Sequence, residues 1–347
     1  MLGFLPAVPW PLGPSIGVFA VAGLITILGS IRLVALGDAL ADRTGWGEAV
    51  FGVVFFGVAT GLSGIVMTAV TAANGHPGLG YSNAVGGIAA QTTALALADA
   101  FYRRVNLEHA AASPPNLLFG CLLIVLLALA LLGSYSPDVT VAGIHPVSVV
   151  IVAGYLGGLR LIRRAGAEPM WQAVGTTETR PDVPQDHGAL DRHRTTWLWS
   201  RFVLVGGFVA VSGWAVSLAA ESVVETTGLT AGFTGGVLLG IVNALPEAVT
   251  AIAAVRRGAV TLAVAAVLGG NILDVITLVV GDVAYRQGSI YHAAGSEDLF
   301  ITTTGLLMTA ILLGGLLVRQ ACGWGRLGFE GVLLLVTYAA MTVILAT

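Results

Sequence analysis

GIVNALPEAVTAIAAVRRGAVTLAVAAVLGGNILDVITLVVGDVAY, residues 240–285, lies without a gap over GVATGLSGIVMTAVTAANGHPGLGYSNAVGGIAAQTTALALADAFY, residues 57–102, at an offset of 183 residues. The register pairs Gly57 with Gly240, Leu62 with Leu245, Gly75 with Gly258, Gly86-Gly87 with Gly269-Gly270, Asp99 with Asp282 and Tyr102 with Tyr285. It extends upstream to Phe19/Phe202 and Thr44-Gly45/Thr227-Gly228, and downstream to Tyr155/Tyr338. The chain is therefore an internal duplication, and each copy carries a full set of helices.

Composition sets the solvent. With 56% hydrophobic and 10% charged residues and 47 glycines, and a mean hydropathy of +0.88, the chain reads as an all-α polytopic membrane protein. Apolar stretches long enough for a hydrocarbon layer of roughly 30 Å fall at about 16–37, 48–73, 79–100, 116–133 and 146–162, and again at 201–220, 231–255, 260–281, 299–318 and 329–346. Ten transmembrane helices follow. The domain reading is a first five-helix repeat at 1–163, a cytoplasmic linker at 164–198 and a second five-helix repeat at 199–347.

All 16 basic residues are Arg. Most, among them Arg43, Arg103, Arg104, Arg163, Arg164, Arg256, Arg257, Arg319 and Arg326, follow odd-numbered spans, and Arg286 alone lies in an opposite loop. The positive-inside rule then places those loops in the cytoplasm and both termini outside, in a plasma-membrane protein. Five spans per copy is an odd number, so the second copy runs inverted through the membrane. Inverted repeats point to transporters that bind their cargo where the copies meet near the midplane. The first apolar segment lacks a basic leader and is read as a retained helix. Cys121 and Cys322 read as packing residues. Asp186, His187, Asp191 and His193 in the linker match no ligand spacing.

Two carboxylates interrupt the apolar runs of the second copy. Glu247 and Asp274 are 27 residues apart around a turn near Arg257–Thr261, which places each about 20 Å from the turn along its helix at ~1.5 Å per residue. Charges at that depth need neutralising, and no Arg in these helices is level with them, so a cation or protons must do it. Pro246 is expected to displace the helix and free the Val242 carbonyl as a ligand. Asn243 lies one turn before Glu247. Gly269-Gly270 is expected to loosen the partner helix, where Asn271 and Asp274 share a face. Such an all-oxygen set suits Ca²⁺, Na⁺ or another hard cation.

These two motifs, NALPEAVTAIAAVRRG and LGGNILD, resemble the second alpha-repeat of the cation/Ca²⁺ exchanger superfamily, the sodium/calcium and proton/calcium exchangers, whose pattern is Gly-Thr-Ser-x-Pro-Glu followed by Gly-Ser-Asn-Ile and an acid or amide. The resemblance covers both repeats, with alpha regions at about 48–102 and 231–285. It implies alternating-access antiport, with Glu247 and Asp274 at ion-ligand positions. The first copy departs further from the pattern. Gly64 stands at the position of the family's other Glu, Ser63 at its Pro and Gln91 at its Asn, while Asn83 and Gly86-Gly87 remain. Thr60, Ser63, Thr68 and Gln91 offer neutral oxygens, and Gly61 and Gly64 are expected to loosen that helix.

Two acids balance one divalent ion or about two monovalent charges. Exchange of one Ca²⁺ for two H⁺ is the simplest cycle, with Na⁺ as the other counter-ion. The alternatives are a divergent member carrying another cation, monovalent or divalent, and a membrane scaffold or sensor that has lost transport. No phosphate loop or hydrolase motif is present, so the expected role is non-enzymatic, without a cofactor and without nucleic acid. The expected partners are lipid and inorganic cations, and one chain suffices as a monomer. Asp99 and Asp282 read as structural acids at helix ends, Asp38, Asp42, Glu221 and Glu225 as solvated caps, and His76 as a turn residue.

Overall fold

The computed structural model describes residues 10–44, 57–101, 106–167, 194–257, 260–321, 323 and 327–347. Outside the described residues lie most of the expected linker, with Asp186, His187, Asp191 and His193, as well as Cys322 and the side chains of Asp38, Asp42, Thr60 and Arg257. The described residues form helices α1 (Leu12–Thr44), α2 (Gly57–Ala73), α3 (Pro77–Phe101), α4 (Leu107–Ala111), α5 (Pro114–Tyr135), α6 (Pro146–Ala167) and α7 (Thr195–Thr227). Next comes α8, which runs through Ala231–Phe233, a π-helical stretch Thr234–Leu239, and Gly240–Arg257. The chain ends with α9 (Val260–Ala284), α10 (Ile290–Ala293), α11 (Ser296–Val318) and α12 (Phe329–Ala346). The sequence register is visible in these bounds. Leu12 and Thr44 pair with Thr195 and Thr227, and Pro77 and Phe101 pair with Val260 and Ala284, so α1 and α7, like α3 and α9, start and stop together.

Local chemistry sets several of these ends. Gly75, at φ 88°, supplies the left-handed turn between α2 and α3, and Gly228, at φ 73°, closes α7, a conformation that favours glycine. Ser113 caps α5 by accepting from Asn116 N, with Pro114 at the first helical position.

Among the described residues, eight helices are long and apolar enough to cross a membrane, and Gly61–Ala73 is a shorter apolar stretch. Helix α3 is not among the eight, although a span was expected at 79–100. Its length is sufficient, but Ser82, Asn83, Gln91, Thr92 and Thr93 interrupt its apolar run, and all five are buried. They are tolerated because α3 packs against α2, α8, α9, α11 and α12 and so is surrounded by protein. Tyr81, Ile88 and Leu95 of α3 meet Leu123 and Leu127 of α5, Leu268 of α9 and Leu312 of α11 in the main core. Helices α1 and α7 pack against each other at the side, joined by Thr26 Oγ1 donating to Ser212 Oγ at 2.8 Å. Their outer faces expose Val21, Leu24, Leu28, Val203, Phe208 and Val211, which suits contact with acyl chains.

The duplication also governs packing. Helix α3 lies on α8 while α2 lies on α9, and α2 lies on α7 while α8 lies on α1; each contact is the other's counterpart under the register. Where α3 crosses α8, a Cβ on Gly86 would strike the Gly236 backbone, and one on Gly240 would lie 2.8 Å from the Gly86 carbonyl carbon. Only glycine permits this backbone approach.

The expected helix breaks are not found. Helix α2 is continuous through Gly61 and Gly64, α3 through Gly86 and Gly87, α8 through Pro246, and α9 through Gly269 and Gly270. The irregularity is instead the π-helical stretch Thr234–Leu239, where α8 must pass the glycines of α3. Glycine in these helices provides room for neighbouring helices rather than unwinding.

Asp99 and Asp282, read as structural acids at helix ends, and Glu221, read as a solvated cap, are all buried. Asp99 Oδ1 accepts from Leu107 N at 2.6 Å. Its register mate Asp282 accepts from Ile290 N at 3.2 Å, His145 N at 2.8 Å and Ser148 Oγ at 2.7 Å. Both acids cap the short helix that follows and draw it onto the bundle. Glu221 is buried beside the α2–α3 turn, and Asn74 Nδ2 donates to both of its oxygens at 3.1 Å. His76 sits in that turn, 3.7 Å from Glu225 Oε1.

Candidate cation site

Four helices converge where the copies meet. Asp274 of α9 is 2% exposed. Gln91 Nε2 of α3 donates to its Oδ2 at 2.8 Å, and Asn243 Nδ2 of α8 donates to its Oδ1 at 3.1 Å. Gln91 and Asp274 are register mates, so the contact joins equivalent points of the two copies. An ionised carboxylate only accepts, so both amides turn their N–H groups toward it. Their oxygens consequently face elsewhere.

Those oxygens are the informative atoms. Gln91 Oε1 and Asn243 Oδ1 are buried with no hydrogen-bond partner, as are Asn83 Oδ1, Asn271 Oδ1 and Ser63 Oγ. The amide nitrogens are engaged: Asn271 Nδ2 donates to Thr92 Oγ1 at 2.9 Å, and Asn83 Nδ2 donates to Thr68 Oγ1 at 3.0 Å and Gly64 O at 3.3 Å. An orphaned buried acceptor costs about 1–3 kcal/mol, and five within one region have a common remedy. Hard cations bind to such neutral oxygens together with carboxylates.

Paired glycines make room for the cluster. A Cβ on Gly87 would lie 2.6 Å from Asn243 Nδ2 and 2.9 Å from Asp274 Oδ2. On its register mate Gly270, a Cβ would lie 2.8 Å from Gln91 Oε1 and 3.6 Å from Glu247 Cγ. Glu247, 6% exposed and one turn beyond Asn243 on α8, therefore stands over Gly270 together with the orphaned oxygen of Gln91. Among the described residues no three His, Cys, Asp or Glu side chains are placed to hold a metal ion. The buried acids and unpaired amide and hydroxyl oxygens fit a site of two carboxylates with neutral oxygens.

Of the residues read from sequence, Gln91, Asn243, Asp274 and Glu247 come together. Ser63 is buried with its hydroxyl unbonded. Asn271 turns its amide nitrogen to Thr92. Val242 packs its side chain toward α1, 3.6 Å from the Cβ position of Gly23. Thr60 lies in α2 with its side chain outside the described residues. Thr68 donates to Gly80 O at 3.1 Å and serves the α2–α3 contact. Gly61 and Gly269 have no such close neighbour at their Cβ positions, so they do not shape the cluster. Thr92, which holds Asn271, was missed; a hydroxyl next to Gln91 inside a buried helix was its signal.

The family profile described as sodium/calcium exchanger protein matches residues 14–159 and 197–347. The sodium/calcium exchanger MaX1 of Methanosarcina acetivorans is 30% identical over 147 residues, 42% of this chain and 40% of that protein. The Ca(2+)/H(+) antiporter of Synechocystis sp. is 27% identical over 205 residues, 56% of this chain and 52% of that protein. The chain thus aligns with about half the length of these relatives, or less. The fold resembles the H+/Ca2+ exchanger CAX, with a TM-score of 0.70 at 12% identity over 96% of this chain and 85% of that one. It also resembles the sodium-calcium exchanger NCX_Mj, with a TM-score of 0.60 at 15% identity over 96% and 99%. With a family match over both halves of the duplication and acids and amides gathered where those halves meet, the chain belongs to the sodium/calcium exchanger family.

Proposed function

We propose that this protein is a secondary-active antiporter that moves Ca²⁺ across a membrane in exchange for protons, through a site built on Glu247 and Asp274. The observation that carries this reading is the buried cluster itself: two carboxylates surrounded by amide oxygens that no protein donor satisfies. Ca²⁺ is drawn to this donor set because its charge balances both acids and its flexible coordination accepts neutral oxygens. Val242, Asn243, Asn271, Gln91, Thr60 and Ser63 complete the proposed ligand set. The return step needs two positive charges, and two protons, one on each carboxyl, satisfy both acids without further ligands. Na⁺ is the second reading for the counter-ion, favoured by the resemblance to MaX1, named as a sodium/calcium exchanger.

The proposed architecture is ten spans in two inverted five-helix repeats, 1–163 and 199–347, joined by a cytoplasmic linker, in a plasma-membrane protein with both termini outside. Inversion presents equivalent helices to opposite sides of the membrane, which allows one site to open alternately to each. A single chain supplies both repeats and works as a monomer.

The test is Ca²⁺ flux into proteoliposomes under an imposed pH gradient or an imposed Na⁺ gradient, with Glu247→Gln alongside. Uptake driven by the pH gradient and abolished in the variant supports the reading. Uptake driven only by Na⁺ changes the counter-ion, and no Ca²⁺ movement under either gradient refutes the antiport assignment.

A further inference from the structure

Gly64 is the register mate of Glu247, so a symmetric site would carry a glutamate at both positions. The room at Gly64 is already taken. A Cβ there would lie 2.5 Å from Asn243 Oδ1 and 2.9 Å from both Asn243 Cγ and Nδ2. Asn243 has little freedom to yield, because its Nδ2 donates to Asp274 Oδ1 at 3.1 Å and lies 2.6 Å from the Cβ position of Gly87. Helix α2 cannot retreat readily either. A Cβ on Gly213 of α7 would sit 3.4 Å from Ser63 O, and Ser217 Oγ of α7 donates to Met67 O at 3.5 Å. A side chain at 64 and an amide at 243 thus compete for one volume held between α7 and α9.

We propose that Asn243 is the specificity-determining residue of this site: by filling the space over Gly64 it excludes a third carboxylate and supplies a neutral oxygen in its place. The exchanger then carries two negative charges where the copies meet and trades one Ca²⁺ for two monovalent cations, with no net charge moved. This step rests on the Ca²⁺ antiport proposed above. Adding an acid at 64 requires removing the amide at 243, and the site so altered balances one more positive charge.

Two measurements separate the steric claim from the transport claim. The first is a thermal-stability cycle on purified protein with Gly64→Ala, Asn243→Ala and the double variant, which needs no assumption about cargo. Gly64→Ala should lower the melting temperature, and the same change made on Asn243→Ala should lower it much less or raise it; additive effects would overturn the steric pairing. The second is Ca²⁺ flux in proteoliposomes with the membrane potential clamped at opposite signs. The wild type should be insensitive to potential, and Gly64→Glu should lose flux by about tenfold or more, the scale expected for overpacking. Gly64→Glu/Asn243→Ala should recover flux that now depends on potential. Wild-type flux that responds to potential, or a single Gly64→Glu variant that transports normally, would overturn the charge-count claim. Failure of wild-type Ca²⁺ flux with a coupled stability cycle would instead remove the antiport assignment and leave the packing pair standing.

Discussion

At the scale of single residues, buried acids serve two purposes in this chain. Asp282 accepts from two backbone N–H groups and the Ser148 hydroxyl, and Asp99 accepts from Leu107 N, so both fasten loops to helices; Asp274 is met by two side-chain amides whose oxygens are left over, which is what supports the proposed binding role. Glu108 belongs to a third environment. It lies in the short helix α4, 1% exposed, and both its carboxylate oxygens lack hydrogen-bond partners. Burial pushes its carboxyl well above the ordinary carboxylate range, and the nearby charges of Asp99 and Glu330 push it further. A group raised in the folded state contributes its stability below the unfolded value, ~4.3 for Glu, and loses it as pH rises through the folded value. The melting temperature of the purified protein should therefore fall as pH rises above the unfolded value, and Glu108→Gln should flatten that fall. An unchanged pH dependence in the variant would show that Glu108 does not titrate in that window.

At the scale of helices, glycines that look alike in sequence have different surroundings. Gly86 faces the backbone of Gly236 across the α3–α8 crossing, whereas a Cβ on Gly269 would have no neighbour within 4 Å. An alanine in a helix interior is favoured over glycine by roughly 0.5–1 kcal/mol when nothing obstructs it. Gly269→Ala should therefore leave stability equal or slightly higher, while Gly86→Ala should lower it by about 1–3 kcal/mol through overpacking. Detergent-solubilised thermal denaturation of both variants reads the difference directly; equal effects would mean that the α3–α8 crossing can open at little cost. Gly269-Gly270 and its register mate Gly86-Gly87 were expected to break their helices; α9 and α3 run through them without interruption, and the irregular stretch is Thr234–Leu239 of α8.

At the scale of the whole molecule, the duplication makes equivalent positions occupy opposite faces of the membrane in the proposed inverted arrangement. His76 of the α2–α3 turn has Ala259, which follows α8 in sequence, as its register mate. With Cys121 and Cys322 replaced, a cysteine introduced as His76→Cys should react with an impermeant thiol reagent from outside intact cells. One introduced as Ala259→Cys should react only after the cytoplasmic side is opened. Labelling of both from the same side would rule out inversion.

From its sequence alone this chain determined its solvent, its helical class, its duplication and the acids Glu247 and Asp274, because each is written in composition or in local spacing: apolar length for a span, a constant offset for a repeat, a charge where none is cheap. Only tertiary structure decided that Gln91 and Asn243 donate to Asp274, leaving their oxygens free, that Asn243 fills the room over Gly64, and that Asp99, Asp282 and Glu221 are buried. Those outcomes depend on how four helices from two copies cross, and hydrogen-bond direction and packing volume between distant segments have no signature in the spacing of either one.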